Sequence, residues 1–400
     1  MGLASRLRAL ARLGGEGARV PERKSTGGSL VFGGGSPDAA FWSERSYAAL
    51  SRAGFQQNPV VYRCVRLIAE TASAVPPLLY EGNWEIETHP ILDLLRRPNP
   101  AQDGPGFLEG LCGYLLLSGT AHVEAVSLGG QPRQLHALRP DRVRVICAAD
   151  GWPQAVEYRA GSAVRRLPLE ADEGMAPVLA IRLFHPLGEG EGFAPLQAAQ
   201  TALDLHNAAT RWNKALLDNS ARPSGALVYQ AGDGGNLSAD QFDRLKAELE
   251  SGYAGAARAG RPMLLEGGLD WKSMALCPRD MDFIEARNGA ARDIATAFGV
   301  PPMLLGIPGD ATYANLAEAN RALYRLTVLP LLARLLGALG DWLAEGFDPG
   351  RRLRLGFDAD RIEGLSAERE ALWARLGAAS FLDEDEKREA VGYGPRRRGT

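Results

Sequence analysis

The feature that most constrains the fold is a segment of mixed pattern enclosed by two long helical stretches. Residues 193–219 and 278–299 both carry apolar side chains at helical spacing. Between them the patterns predict a strand, a helix and a second strand, over residues 225–229, 238–249 and 261–268. An α+β insert between two long helices is unusual for a compact enzyme. It favours an elongated subunit that packs beside copies of itself.

The chain before this arrangement changes from helical to strand periodicity. Asn58-Pro59 predicts the start of a helix that Pro76-Pro77 ends. The next patterns predict one strand and two helices, over residues 78–80, 89–95 and 107–118. From about residue 121 to 185 apolar residues alternate, and Gly129-Gly130 and Asp150-Gly151 mark tight turns. This region predicts a small antiparallel sheet.

The chain after the second long helix is again mostly helical. Gly299 and Pro301-Pro302 end that helix, and a loop rich in Gly and Pro follows. The remaining patterns predict a Leu-rich helix that Pro330 should kink, a strand and two short helices, over residues 316–346, 352–357 and 365–392. Asp383 with Glu386 has the form of a capping box, as has Ser238 with Gln241. The predicted fold class is α+β.

Composition excludes several classes of protein. The 400 residues contain 45 Lys and Arg against 48 Asp and Glu, so no basic excess marks a protein that grips nucleic acid over its whole surface. The four cysteines are far apart and form no CxxC pair, which argues against a disulfide framework or a zinc cluster and agrees with a reducing cytoplasm. Residues 1–40 are rich in Gly, Ser and Arg, and we expect a flexible tail.

No motif for common catalytic chemistry is present. The sequence has no Gly-Lys dipeptide and hence no phosphate-binding P-loop, and it has neither HExxH nor GxSxG. The five histidines are not at metal-ligand spacing. Asp358 and Asp360 are the one acidic pair not explained by a helix start, so a metal-dependent hydrolase stays open as an alternative. We otherwise predict no catalytic residue, metal or cofactor, and no enzymatic activity.

A membrane span is also not predicted. The most apolar run, Leu323–Leu343, contains Arg325, Arg334 and Asp341, which is too much charge for a hydrocarbon environment.

Several segments, in order, resemble the portal proteins of HK97-type tailed phages and the related gene transfer agents. The resemblance covers about residues 55–394, although the low-complexity start departs from it and the chain is short for the family. The segments that carry it are NPVVYRCVRLIAETASAVPPLLY (58–80), HPILDLLRRPNP (89–100), YLLLSGTAHVEAVSLGGQPRQLHALRPDRVRV (114–145), ALDLHNAATRWNKALLDNSARPSGALVY (202–229), LLEGGLDWKSMALCPRDMDFIEAR (264–287), AFGVPPMLLGIPGDATYANLAEA (297–319) and FLDEDEKREAVGYGP (381–395).

The resemblance implies a dodecameric ring around a DNA channel, and it names the parts of each subunit. After the tail of residues 1–40, these parts are a wing (41–190, completed by the long helix and strand of 316–364), two stem helices (191–220 and 277–299), a clip (221–276), a tunnel loop (300–315), a short helical crown (365–392) and a C-terminal tail (393–400).

The resemblance also suggests which residues meet DNA and partners. In the tunnel loop these are Gly306, Pro308, Gly309, Asp310, Thr312, Tyr313 and Asn315. On the second stem helix, Asp282, Glu285, Arg287, Arg292 and Asp293 balance charge, as a surface that lets DNA slide should; ordinary i,i+4 pairs on a solvated helix are an equal alternative. Phe242, Tyr253 and Trp271 are candidate clip contacts, either to the adjacent subunit or to a packaging motor. Tyr313 could instead pack against a neighbouring loop.

The implied partners are other copies of the chain, double-stranded DNA, the terminase, a head-tail adaptor and the major capsid protein, without a membrane. The implied location is a virion or capsid-like particle assembled in the host cytoplasm, where the ring serves DNA packaging, retention and ejection. A third interpretation, beside the portal protein and the metal-dependent hydrolase, is a scaffold or tail adaptor without a channel. Images of the purified protein should separate the three, because only a portal forms rings with a central hole.

Overall fold

Two compact units make up the described part of the chain in a computed structural model. One contains the described residues of 39–217 and 278–400, and the other those of 218–277. The structure describes residues 46–391 apart from 83, 172–173, 189, 219–224, 230–237, 239, 242, 245–246, 248–268, 274–282, 309–312 and 360–361.

Eleven helices and eleven strands can be assigned complete bounds among the described residues. The helices are α1 Tyr47–Ser51, α2 Pro59–Ser73, α3 Pro90–Arg96, α4 Gly104–Ser118, α5 Pro195–Ala198, α6 Gln200–Asp218, α7 Phe283–Ala297, α8 Tyr313–Leu323, α9 Leu329–Phe347, α10 Ser366–Ala378 and α11 Glu384–Ala390. The strands are β1 Leu78–Glu81, β2 Trp84–Ile86, β3 Thr120–Leu128, β4 Gln131–Leu138, β5 Val143–Cys147, β6 Pro153–Ala160, β7 Ala163–Pro168, β8 Val178–Arg182, β9 Gly225–Tyr229, β10 Leu269–Ser273 and β11 Leu353–Gly356.

The core of the larger unit is built from the apolar stripes of α2, α4 and α9. In α2 the residues that recur at helical spacing, among them Val61, Val65 and Ile68, are all buried. The leucines of α9 join the same cluster, which also takes in Phe107 of α4. Burial of each such side chain stabilises the fold by about 1.5–3 kcal/mol.

The region from 121 to 185 folds into two antiparallel sheets, so the prediction of one small sheet was wrong in number. The strand orders are β4-β3-β8 and β5-β6-β7. A 3-10 turn at Pro140–Arg142 separates β4 from β5 and sends the chain into the second sheet. Glu124 of β3 and Arg165 of β7 join the sheets through two hydrogen bonds of 2.5 and 2.8 Å. A third sheet has the order β11-β1-β2.

A π segment lies just before Pro330, the residue at which the sequence predicted a kink in the long Leu-rich helix. Residues Tyr324–Val328 form this segment between α8 and α9. The Leu329 N–H donates to the Tyr324 carbonyl, five residues earlier, directly before the proline that has no N–H to donate.

The first predicted stem helix was too long at its start. Ala194 is extended, with φ −81° and ψ 145°, because the residue before a proline avoids helical backbone. The helix therefore begins at Pro195, and Ala199 separates α5 from α6. The second predicted stem helix is helical from Phe283, and residues 278–282 lie outside the described part.

In the smaller unit, the predicted first strand and capping box are both present. Strand β9 pairs antiparallel with β10, with Leu227 opposite Trp271. The Ser238 N–H donates to Gln241 Oε1 at 3.0 Å, and the Gln241 N–H donates to Ser238 Oγ at 3.3 Å. The strand predicted over 261–268 lies outside the described residues.

One described helical stretch, Asn315–Phe347, is long and apolar enough by length and composition to cross a membrane. In the structure, its leucines at 331, 332, 335, 336 and 339 are buried in the core of the larger unit. A buried core helix passes the same test of length and composition.

Candidate functional site

Helix α6, in the first predicted stem segment, is tied to the start of α2 by a buried amide. Asn58 Oδ1 accepts from the backbone N–H groups of Val60 and Val61, and so caps α2. Its Nδ2 donates to His206 Nδ1 at 3.0 Å and to Asn207 Oδ1 at 2.8 Å. Asn207 Nδ2 in turn donates to the Ala53 carbonyl at 2.9 Å. The side chain of Asn58 therefore fixes where α6 leaves the body of this unit.

This arrangement requires a neutral His206. Because Asn58 Nδ2 is a donor, His206 Nδ1 must accept and cannot carry a proton. Burial lowers the pKa of His206, and the charge of Arg287 on α7 lowers it further. Geometry and electrostatics thus favour the same protonation state.

Helix α7, in the second predicted stem segment, has one buried and one exposed face. Ala290, Ala291, Ile294 and Ala295 are buried in the body of the unit. The predicted channel residues that the structure describes are all exposed: Glu285, Arg287, Arg292 and Asp293. No ion pair joins these four residues to one another. Asp282 lies outside the described residues.

The end of α7 is closed by a Schellman motif. The Gly299 N–H donates to the Thr296 carbonyl at 3.0 Å, and the Val300 N–H to the Ala295 carbonyl at 2.8 Å. Gly299 has φ +68°, and a Cβ there would lie 2.6 Å from Thr327 Oγ1. That hydroxyl donates to the Gly299 carbonyl at 2.6 Å. Glycine is therefore required twice over at this position, by backbone conformation and by space.

A side chain of α7 contacts the described part of the predicted tunnel loop. Arg292 Nη2 donates a hydrogen bond to the carbonyl of Pro308. The loop contains a 3-10 turn, Pro302–Leu305, followed by Gly306 with φ +71°. The structure thus brings together a predicted stem residue and a predicted loop residue.

The loop is shorter than the sequence predicted. Helix α8 begins at Tyr313, so Tyr313 and Asn315 lie in its first turn instead of in the loop. Gly306 and Pro308 are exposed loop residues, whereas Gly309, Asp310 and Thr312 lie outside the described residues.

Two of the three predicted clip contacts lie outside the residues that the structure describes. Phe242 and Tyr253 lie outside the described residues. Trp271 occupies the centre of β10, opposite Leu227.

The alternative metal site has no support among the described residues, where no group of three or more His, Cys, Asp or Glu could hold a metal ion. Asp358 is half-buried beyond β11, and Asp360 lies outside the described part. Burial raises the pKa values of the Cys64 and Cys112 thiols to about 12, which keeps them protonated and unreactive.

Sequence reasoning missed the residues that position these segments. The sequence indicated His206 only as a histidine away from metal-ligand spacing and gave no prediction for Asn207, and Arg292 was predicted as a channel cation or as part of an i,i+4 pair. The one available signal was Asn58-Pro59, a strong helix start. A helix cap reveals what an amide oxygen does, but it does not reveal where the amide nitrogen points.

A mixed fold of helices and small antiparallel sheets, with an insert between α6 and α7 in the chain, matches the fold of the portal proteins of tailed phages. A family model described as "Phage portal protein" matches residues 59–392. The chain belongs to this family.

Solved structures and relatives in sequence are consistent with membership of this family. The chain is 51% identical to a chain in the "Neck of native GTA particle computed with C12 symmetry", with a TM-score of 0.68, covering 89% of this chain and 95% of that one. It is 27% identical to the "Probable portal protein" of Streptomyces phage phiC31, over 85% of this chain and 75% of the relative. An HK97-family phage portal protein from Corynebacterium diphtheriae shares the fold at 19% identity, with a TM-score of 0.55 over 83% of this chain and 99% of that one. The resemblance inferred from sequence is confirmed.

Proposed function

We propose that this chain forms a ring of twelve subunits around a channel at one capsid vertex, through which double-stranded DNA enters and leaves. The observation that carries the proposal is the 51% identity to a chain of a particle neck computed with C12 symmetry. A ring repeats each exposed side chain twelve times, so the surface facing the channel decides how strongly DNA is held.

The exposed face of α7 suits a channel that must release what it carries. Its four described charged residues comprise two carboxylates and two guanidinium groups. A face of uncompensated cations, multiplied around a ring, would neutralise many phosphates and bind DNA strongly, because each neutralised phosphate adds about 0.9 to the slope of log affinity against log salt. A face with balanced charges neutralises fewer phosphates and binds DNA less strongly. The charge balance of α7 therefore favours DNA that slides past the helix instead of being held by it.

The loop that follows α7 is the proposed point of closest contact with DNA. Its predicted contacts run from Gly306 to Asn315, and Arg292 holds its first part against α7. Polar residues such as Thr312 and Tyr313 can offer hydrogen bonds to phosphates without adding positive charge.

The remaining partners follow from the same proposal. Residues 221–276 would dock the terminase during packaging and the head-tail adaptor afterwards. Phe242, Tyr253 and Trp271 would contact the adjacent subunit or the packaging motor. The major capsid protein would surround the ring, in a particle assembled in the host cytoplasm. The chain would act as a structural component and would not catalyse a reaction.

Deletion of residues 308–312 tests the role of the loop, because it leaves the start of α8 at Tyr313 in place. We expect rings to assemble normally and retained DNA per particle to fall several-fold, measured by nuclease-protected DNA in purified particles. A five-residue Gly-Ser replacement is the matched control for loop length. Wild-type packaging and retention in the deletion variant would refute the role of the loop.

A further inference from the structure

The loop that follows β8 presents large apolar side chains to solvent. Phe184 is 80% exposed and Leu187 is 93% exposed, and Pro186 between them is exposed as well. We call residues 184–187 the knob. Exposed apolar side chains that lie together on a folded surface generally mark a place where a partner binds.

The knob is held in place by hydrogen bonds and ring packing. The Leu187 N–H donates to His185 Nδ1 at 3.1 Å, and the His185 ring meets the Phe193 ring edge to face, with centroids 5.5 Å apart. The Leu183 N–H donates to the Gly119 carbonyl at 2.8 Å. A loop that is ordered before it binds loses less conformational entropy on binding, which favours a role in recognition.

An apolar groove of about 380 Å³ lies elsewhere on the same unit, between the end of α2, the paired strands β1 and β2, α3 and the start of α4. The half-buried side chains of Leu78, Ile86 and Leu92 line it, together with the buried Leu95 and Leu108. A concave surface of this composition suits the apolar side chains of a partner.

The groove carries negative charge that other described residues do not neutralise. Glu85 and Glu87 lie at the groove, are exposed and form no ion pair with another described residue. Arg96 also lines the groove, but it forms an ion pair with Asp93 at 3.1 Å. A partner that brings a cation beside its apolar side chains would therefore complement the groove.

Such a cation lies beside the knob. Arg334 of α9 is exposed, and its Nη1 donates to the carbonyl of Arg182 at 3.2 Å, two residues before Phe184. Among the described residues Arg334 has no ion-pair partner. Glu191, further along the loop, lines a separate cavity with Tyr47.

The knob and the groove lie at opposite ends of α4. The Gly192 N–H donates to Thr120 Oγ1 at 2.8 Å, so the loop that carries the knob is fixed at both ends just after this helix. Pro105 and Leu108, near the start of α4, line the groove. The 15 residues of α4 span about 21 Å at 1.5 Å per residue. Two different surfaces separated in this way meet only between copies, and such head-to-tail contacts close a ring when the rotation between copies permits.

We propose that the knob of one subunit inserts into the groove of the next, with Arg334 facing Glu85 and Glu87. The inference rests on the proposed ring and names a contact that closes it.

Carboxylates placed on the knob test this contact. Phe184→Asp/Leu187→Asp should lower the fraction of chain found in rings at least tenfold, because the groove would have to bury two unpaired charges. Sedimentation velocity at equal protein concentration measures that fraction. Leu128→Asp, at a residue that is 74% exposed on β3, is the matched control and should assemble as wild type does.

Exchange of the charges tests the pairing across the contact. Arg334→Glu alone and Glu85→Arg/Glu87→Arg alone should each reduce the fraction in rings several-fold. The combination of the three substitutions should restore most of the loss, because opposite charges face each other again. A combination that assembles worse than either parent variant would contradict the assigned pairing.

Disulfide crosslinking locates the contact directly. Leu187→Cys combined with Ala74→Cys, an exposed residue of the groove, should give a ladder of covalent oligomers under oxidation, in a chain that also carries Cys147→Ser and Cys277→Ser. A mixture of the two single-cysteine chains should give dimers only, and each chain alone should give none.

The outcomes separate this contact from ring formation itself. Normal rings from the double Asp variant, or rings of the cysteine pair without a ladder, would overturn the knob-and-groove contact and leave the proposed function intact. Wild-type chain that forms no rings would overturn both.

Discussion

Asn58 shows how a single side chain can set the direction of a helix. Its oxygen stabilises the start of α2, and its nitrogen reaches across to His206 and Asn207 on α6. The residue is 1% exposed and His206 is also buried, so without this amide His206 Nδ1 would lose a hydrogen-bond partner in the interior. This amide therefore links the first stem segment to the start of α2.

Two substitutions at Asn58 separate its roles. Asn58→Ser keeps a capping oxygen but removes the donor to His206 and Asn207, and should lower the free energy of unfolding by about 1–3 kcal/mol. Asn58→Ala also removes the cap and should cost about 1 kcal/mol more. Chemical denaturation of the purified chain measures both. If neither variant loses stability, the amide does not hold α6.

At the scale of elements, helix α7 and the motif that closes it include two glycines with opposite requirements. Gly299 closes the helix with φ +68°, and Thr327 fills the space that a Cβ would need. Gly289 lies inside the helix, where a Cβ would meet nothing within 4 Å. The same substitution should therefore have opposite effects at the two positions.

Gly299→Ala should destabilise the chain by more than about 1 kcal/mol, because a positive φ and a close contact act together. Gly289→Ala should stabilise it by about 0.5–1 kcal/mol, because alanine loses less entropy in a helix. Midpoints of denaturant unfolding for the two variants provide the measurement. Effects of the same sign would show that the end of α7 is not closed as described.

Helix starts were predictable because their signals are local. Asn58-Pro59 and the Asp383–Glu386 capping box could be recognised from neighbouring residues alone, and both are present. The division of residues 121–185 into two sheets could not be predicted, because it depends on the pairing of β3 with β8 more than fifty residues later. The hydrogen bond from Arg292 to the Pro308 carbonyl could not be predicted either. It joins residues that are sixteen positions apart, and a backbone carbonyl has no sequence signal.

At the scale of the whole molecule, the chain divides into a larger unit that carries both predicted stem helices and a smaller insert. The order of the segments was enough to recognise the family, whereas the residues that face DNA or partners stay predictions. Symmetry explains this difference, because the proposed channel surface exists only when identical subunits enclose it.

The central claim is that subunits close into a ring around a channel. Cryo-electron microscopy of the purified full-length chain tests it most directly, with class averages computed without imposed symmetry. The account predicts closed rings of twelve subunits with a central opening wide enough for a DNA duplex. Monomers or assemblies without an opening, under conditions that keep the chain folded, would contradict it.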